Sequence, residues 1–254
     1  MLCESLRCVL AENLKNLLVF DASTANIFFG GISGGRSVFK AESYEKSKLS
    51  RFLPGNLAET AASLEIDGKT RVVIGNGPGA FTGIKTGTAF FLAYIYSRGI
   101  ARVETVSSFS FVSALAAFGK NDLRLVLIPF NKGEYFAAVL DRESRILKGD
   151  VFIKPPYGNI SELFGSFAGK TVDLVSAVKC GDEILPELKK VFNINNLRFD
   201  GFEFKPENFN FENMTEVVDI TKEPYIVNHV VLPANLDKNG NFYVTDCLAG
   251  EKNG

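Results

Sequence analysis

The apolar positions of this chain fall into short runs divided by Asn, Asp, Ser and Gly clusters, the pattern of strands joined by tight turns. Leu17 to Phe20 is the first run and closes on Asp21-Ala22-Ser23-Thr24. Ile27 to Gly31 and Ser37 to Ala41 follow, separated by Gly34-Gly35, and predict an antiparallel meander. Ser47 to Leu64 then reads as a helix with Leu49, Phe52, Leu53, Leu57, Ala61 and Leu64 on one broad apolar face, interrupted or restarted at Pro54-Gly55. Arg71 to Gly75 is a buried strand, and Thr82 to Arg98 a long helix after Gly77-Pro78-Gly79. Val103 to Val106 is a further strand, and Ser108 to Phe118 a further helix.

Three strands, helix, strand, helix, strand, helix is the order of a ribonuclease H-like lobe: a mixed sheet with helices on its faces. The meander then returns. Leu123 to Phe130, Glu134 to Asp141 and Arg145 to Ile153 are three more strands with short polar turns, Val172 to Ala177 another, and Asp182 to Phe192 a helix. Asn193 to Phe211 has no clean period. The expected organisation is an extension over 1–16 with helical spacing of its leucines, an N-terminal lobe over 17–120, a reduced C-terminal lobe over 121–234, and a polar tail over 235–254 holding one strand candidate at Phe242 to Val244.

Composition narrows the function classes. With 46% hydrophobic and 22% charged residues the chain can bury an ordinary core. A net charge of -1 argues against a strongly basic, stand-alone nucleic-acid binder. Cys3, Cys8, Cys180 and Cys247 lack metal-ligand spacing and read as reduced cytosolic thiols. The start of the chain does not read as a signal peptide, and Ala89 to Tyr96, the most apolar run, falls well short of a membrane span. A soluble cytoplasmic protein is expected. His229 is the single histidine, so paired-histidine metal chemistry and Ser-His-Asp catalysis have no support, and neither catalytic nor metal-binding residues are assigned.

Two constellations remain. From Gly75 to Gly87 a strand runs through a glycine-rich turn into a helix, where free N–H groups attract anions. The spacing is not that of a P-loop, since Ile84 separates Gly83 from Lys85, and a turn without ligand explains the same residues. Asp21-Ala22-Ser23-Thr24 has the form of the first phosphate loop of an actin/Hsp70-like ATPase; a plain hairpin turn explains it too. Asp21, Ser23, Thr24, Gly77, Gly79, Thr82 and Gly83 are thus the candidates for phosphate or nucleotide contact. The helix that follows has no charged side chain between Lys85 and Arg98, so it is apolar all round and needs cover on every side. It is either core throughout or core on one side and interface on the other.

Leu18-Val19-Phe20-Asp21-Ala22-Ser23-Thr24 and, above all, Gly77-Pro78-Gly79-Ala80-Phe81-Thr82-Gly83-Ile84-Lys85-Thr86-Gly87 resemble the TsaB/YeaZ type, the small paralogue in bacterial tRNA threonylcarbamoyladenosine synthesis. Its hallmark is Gly-Pro-Gly-Ser-Phe-Thr-Gly-Leu-Arg-Ile-Gly. Leu53-Pro54 and Gly133-Glu134-Tyr135-Phe136-Ala137 match more weakly; Asn131-Lys132 stands in place of the family's Asp-Ala-Arg turn. The resemblance is strong from Leu17 to Ser107 and thin after Asp141. It implies an actin/Hsp70-like fold and no independent catalysis or peptidase activity. It also implies a partnership with a larger metal-dependent transferase (TsaD-like) and a small ATPase (TsaE-like). The transferase modifies the adenosine after the tRNA anticodon through a His-x-x-x-His pair that this chain lacks. Leu49, Phe52, Leu53, Leu57, Phe90 and Tyr94 are the expected partner contacts, whether in that heterodimer or in a homodimer. No cofactor is expected in the isolated chain, with ATP or ADP confined to a subunit interface. The alternative is a small-molecule kinase or ATPase of the same fold working through Asp21 and the glycine-rich turn.

Overall fold

The computed structural model describes residues 16–24, 26–34, 36–43, 55, 58–59, 64–80, 83–116, 121–177, 179–199, 202, 205–209 and 216–219. Strands β1 (Leu17–Asp21), β2 (Asn26–Ser33) and β3 (Arg36–Ser43) form the expected meander. β4 (Arg71–Gly75) and β5 (Arg102–Val106) add in parallel on the other side of β1, with Val19 opposite Val73 and Ile74 opposite Thr105. β1 is buried along its whole length, as an apolar run covered on both sheet faces must be.

The second sheet repeats the plan. β6 (Arg124–Asn131), β7 (Glu134–Leu140) and β8 (Ile146–Ile153) are its meander; β9 (Thr171–Ser176) and β10 (Asn193–Arg198) extend it in parallel beside β6. β11 (Glu216–Asp219) returns to the first sheet and pairs antiparallel with β5. The strand orders are β11-β5-β4-β1-β2-β3 and β10-β9-β6-β7-β8. In both, the first meander strand is central and runs parallel to the two strands that come later. Two ribonuclease H-like lobes of this kind make an actin-like α/β fold.

Helix α1 (Thr88–Ser97) covers the outer face of the first sheet, with Phe91 stacked on Phe20 at 4.4 Å between ring centres. Helices α3 (Ile160–Leu163) and α4 (Ile184–Val191) cover the outer face of the second. Pro186 lies in the first turn of α4, where the missing N–H costs no helical bond. Helix α2 (Ser108–Leu115) lies between the sheets, and all eight of its residues are buried. The layers are therefore helix, sheet, helix, sheet, helices.

Several expectations need correction. The helix expected from Thr82 opens as a wide π turn over Gly83–Gly87 before α1 begins. α2 stops at Leu115, with Ala116 already extended, rather than running to Phe118. β10 occupies part of the stretch read as having no period; most of its side chains are exposed, so no apolar alternation marks it. β11 and α3 were not expected at all. Residues 1–15 of the extension, the polar tail, His229 and most of the helix expected from Ser47 to Leu64 lie outside the described residues. So do four of the expected partner contacts, Leu49, Phe52, Leu53 and Leu57, together with Thr82.

Candidate functional site

β1 ends in Asp21, and the turn that follows folds back on its carboxylate. The Ser23 amide and hydroxyl donate to Asp21 Oδ1 at 2.8 and 2.6 Å. Thr24 Oγ1 donates to the Asn26 carbonyl at 2.8 Å and accepts from the Asn26 amide at 3.0 Å, closing the turn into β2. Asp21, Ser23 and Thr24 are fully buried.

The glycine-rich turn seals onto this corner. The Ala80 amide donates to the Ser23 carbonyl at 2.5 Å. The glycines allow the approach: a Cβ at Gly75 would lie 1.7 Å from Asp21 Oδ2, one at Gly79 2.1 Å from the Ser23 carbonyl oxygen, and one at Gly87 2.6 Å from the Ala22 methyl. The start of α2 completes the cluster. Ser108 Oγ donates to Asp21 Oδ2 at 2.5 Å and accepts from the Gly77 amide at 2.9 Å, while the Ser108 amide donates to the Gly77 carbonyl at 2.7 Å. Burial outweighs the three donors and pushes the Asp21 carboxyl above its ordinary value.

The structure thus brings Asp21, Ser23, Thr24, Gly77, Gly79 and Gly83 into one neighbourhood, and all six are buried. The Gly77 and Ala80 amides, which an anion cradle would use, are directed at Ser108 and Ser23 of the same chain. Chemically the cluster ties β1, the turn after β4 and α2 to one carboxylate. Ser108 is the member that sequence reasoning missed. Its only signal was a serine pair, Ser107-Ser108, at the end of β5, where a helix N-cap explains one hydroxyl and leaves the second without a role.

The second candidate surface is the outside of α1. Phe91 and Ile95 point into the core, while Ala89, Ala93 and Tyr96 form an exposed stripe bordered by Phe90. Phe90 is 37% exposed and Tyr96 62% exposed. Tyr94, the other expected contact on this helix, is half-buried, with the Arg98 guanidinium 5.3 Å from its ring centre. Tyr96 is not among the expected partner contacts, because a helix that is apolar all round does not mark the face carrying it as an outer one. Only the way the helix sits on the sheet turns that face outward.

Among the described residues no helix is long and apolar enough to cross a membrane, and no group of three or more His, Cys, Asp or Glu side chains could hold a metal ion.

No protein-family model matches the chain, and no curated protein matches it. Solved structures do. The chain is similar to YeaZ from Pseudomonas aeruginosa, at 20% identity and a TM-score of 0.44, over 55% of this chain and 66% of that one. It is similar to a second structure, described as an uncharacterized protein with similarity to peptidase YeaZ from Pseudomonas aeruginosa, at 19% identity and a TM-score of 0.44, over 56% and 67% of the two chains. A Bacteroides thetaiotaomicron protein with an actin-like ATPase fold and unknown function matches at 12% identity and a TM-score of 0.39, over 74% and 92%. The matched part spans about two-thirds of the two YeaZ-type chains, and likenesses this loose transfer no activity.

Proposed function

We propose that this chain is a non-catalytic binding subunit of a tRNA threonylcarbamoyladenosine-forming complex. It docks through the outer face of α1 onto the larger paralogous transferase and holds it in a form competent for tRNA. The observation that carries the reading is the exposed stripe of α1. A helix without a charge between Lys85 and Arg98 turns Phe90 and Tyr96 outward instead of burying them, and alanines beside them allow a partner helix to approach closely. The motif from Gly77 to Gly87 supports the choice of partner. The single histidine of the chain supports leaving the metal-dependent transfer to that partner. The small ATPase and tRNA join through the complex, and any ATP or ADP belongs at the junction of subunits.

The test is co-purification of the tagged chain with the transferase subunit of the same organism. Phe90→Glu and Tyr96→Glu should each abolish the complex while leaving the unfolding midpoint of the free chain close to wild type. Undiminished complexes in both variants would show that this surface is not the docking site. Tight MgATP binding with turnover by the isolated wild-type chain, read by calorimetry, would favour the kinase or ATPase alternative.

A further inference from the structure

The two lobes meet through buried polar contacts as well as apolar ones. α2 follows the end of β5 at Val106 and shares one apolar cluster with strands of both lobes. Ser110 Oγ donates to the Ser144 carbonyl at 2.8 Å, and Ser113 Oγ lies 2.9 Å from Ser144 Oγ. Ser144 sits in the turn between β7 and β8 at φ 61°, a left-handed conformation in which side chains other than Gly, Asn and Asp are uncommon. Arg124, at the start of β6, donates through Nη1 to the Ser113 carbonyl. At the opposite end of the junction, Asn26 Nδ2 donates to the Ala177 carbonyl at 2.5 Å, joining the start of β2 to the end of β9. The segment leading back to the first sheet adds a further tie: Asn208 Nδ2 donates to the Ala114 carbonyl at 2.9 Å, and Phe209 meets Phe111 edge to face at 5.4 Å.

We infer that α2 is a key that locks the two lobes into one rigid body, so that this chain does not open and close a cleft as two-lobed proteins with a hinge do. Separating the lobes would strip water-free hydroxyl, amide and guanidinium groups of their partners, and each such loss is expensive. It would also expose a helix with no solvent-facing side. Closure motions need a junction that can rearrange at little cost; this one has polar ties at both ends and a shared apolar cluster that includes residues of both sheets and of α2. The inference stands apart from the identity of any docking partner.

The test is an inter-lobe distance measured by pulsed electron paramagnetic resonance on the full chain. Nitroxides are attached through Arg36→Cys on β3 and Lys189→Cys on α4, both exposed positions, with Cys3, Cys8 and Cys247 replaced by serine and buried Cys180 left in place. One narrow distance is expected, the same without nucleotide and with MgADP or MgATP. In Ser110→Ala/Ser113→Ala the distribution should broaden by several ångströms, the scale of hinge and shear motion. Should that variant fail to fold, Asn26→Ala, which removes the tie at the other end, should broaden it instead. Two distances in the starting protein, a shift with nucleotide, or an unchanged narrow distribution in the folded variants would overturn the lock.

Discussion

Gly75 tests how tightly the carboxylate corner is closed. A methyl group there would fall 1.7 Å from Asp21 Oδ2, 2.6 Å from Cγ and 3.0 Å from Cβ. Non-bonded heavy atoms rest roughly 3.5 Å apart, so the carboxylate would have to retreat by about 1.5 Å or more. It cannot do so and keep its bonds from the Ser23 amide, the Ser23 hydroxyl and the Ser108 hydroxyl. Overpacking of a tight core costs about 1–3 kcal/mol. A hydrogen bond to a charged group is worth about 1.5–3 kcal/mol net. With one such bond lost, Gly75→Ala should destabilise the chain by about 2.5–6 kcal/mol, a large part of a typical total of about 5–15 kcal/mol. Urea unfolding followed by circular dichroism measures this. The control is the same substitution in an Asp21→Ala background. There the obstructing carboxylate is gone, and Gly75→Ala should cost under about 1 kcal/mol, a coupling characteristic of groups in direct contact. Equal costs in the two backgrounds, or a Gly75→Ala variant as stable as wild type, would refute the closed corner.

Two further predictions follow from burial. Because burial raises the native carboxyl of Asp21 above 3.8, its ordinary value, folding takes up a proton between that value and the raised one; the contribution is whole below 3.8 and fades as pH climbs through the native value. Asp21→Asn removes the titration, so its unfolding midpoint relative to wild type should rise with pH across that window, and a pH-independent difference would count against the assignment. Neighbouring phenylalanines on α1 should behave oppositely: Phe91→Ala, fully buried and stacked on Phe20, should cost about 3–5 kcal/mol, and Phe90→Ala less than about 1.5 kcal/mol, with a reversed order in denaturant unfolding contradicting the orientation of the helix.

The elements most legible in the sequence were those whose side chains are sorted by burial. β1, β4 and β6 are dense apolar runs because each lies in a sheet covered on both faces. The turns between meander strands could be placed because Asn, Asp, Ser and Gly suit their backbones. β10 was illegible because it is mostly exposed, and β11 because a four-residue strand is defined by its partner β5 more than by its own pattern. At the candidate site, Asp21, Ser23 and the glycines stood out as a local motif. Ser108 did not, since its place beside Asp21 spans 87 residues of chain.

The amino-acid sequence by itself determined the local conformations: apolar runs that must be strands, a charge-free helix, a glycine-rich turn between strand and helix, and a meander repeated in two lobes. Those follow from side-chain size, polarity and period, which act between near neighbours. The tertiary structure alone decided that the glycine-rich turn closes onto Asp21, that α1 shows Tyr96 to solvent while hiding Phe91, and that α2 disappears between two sheets. Each of these depends on how surfaces distant in sequence fit together, and no residue carries that information in its own neighbourhood.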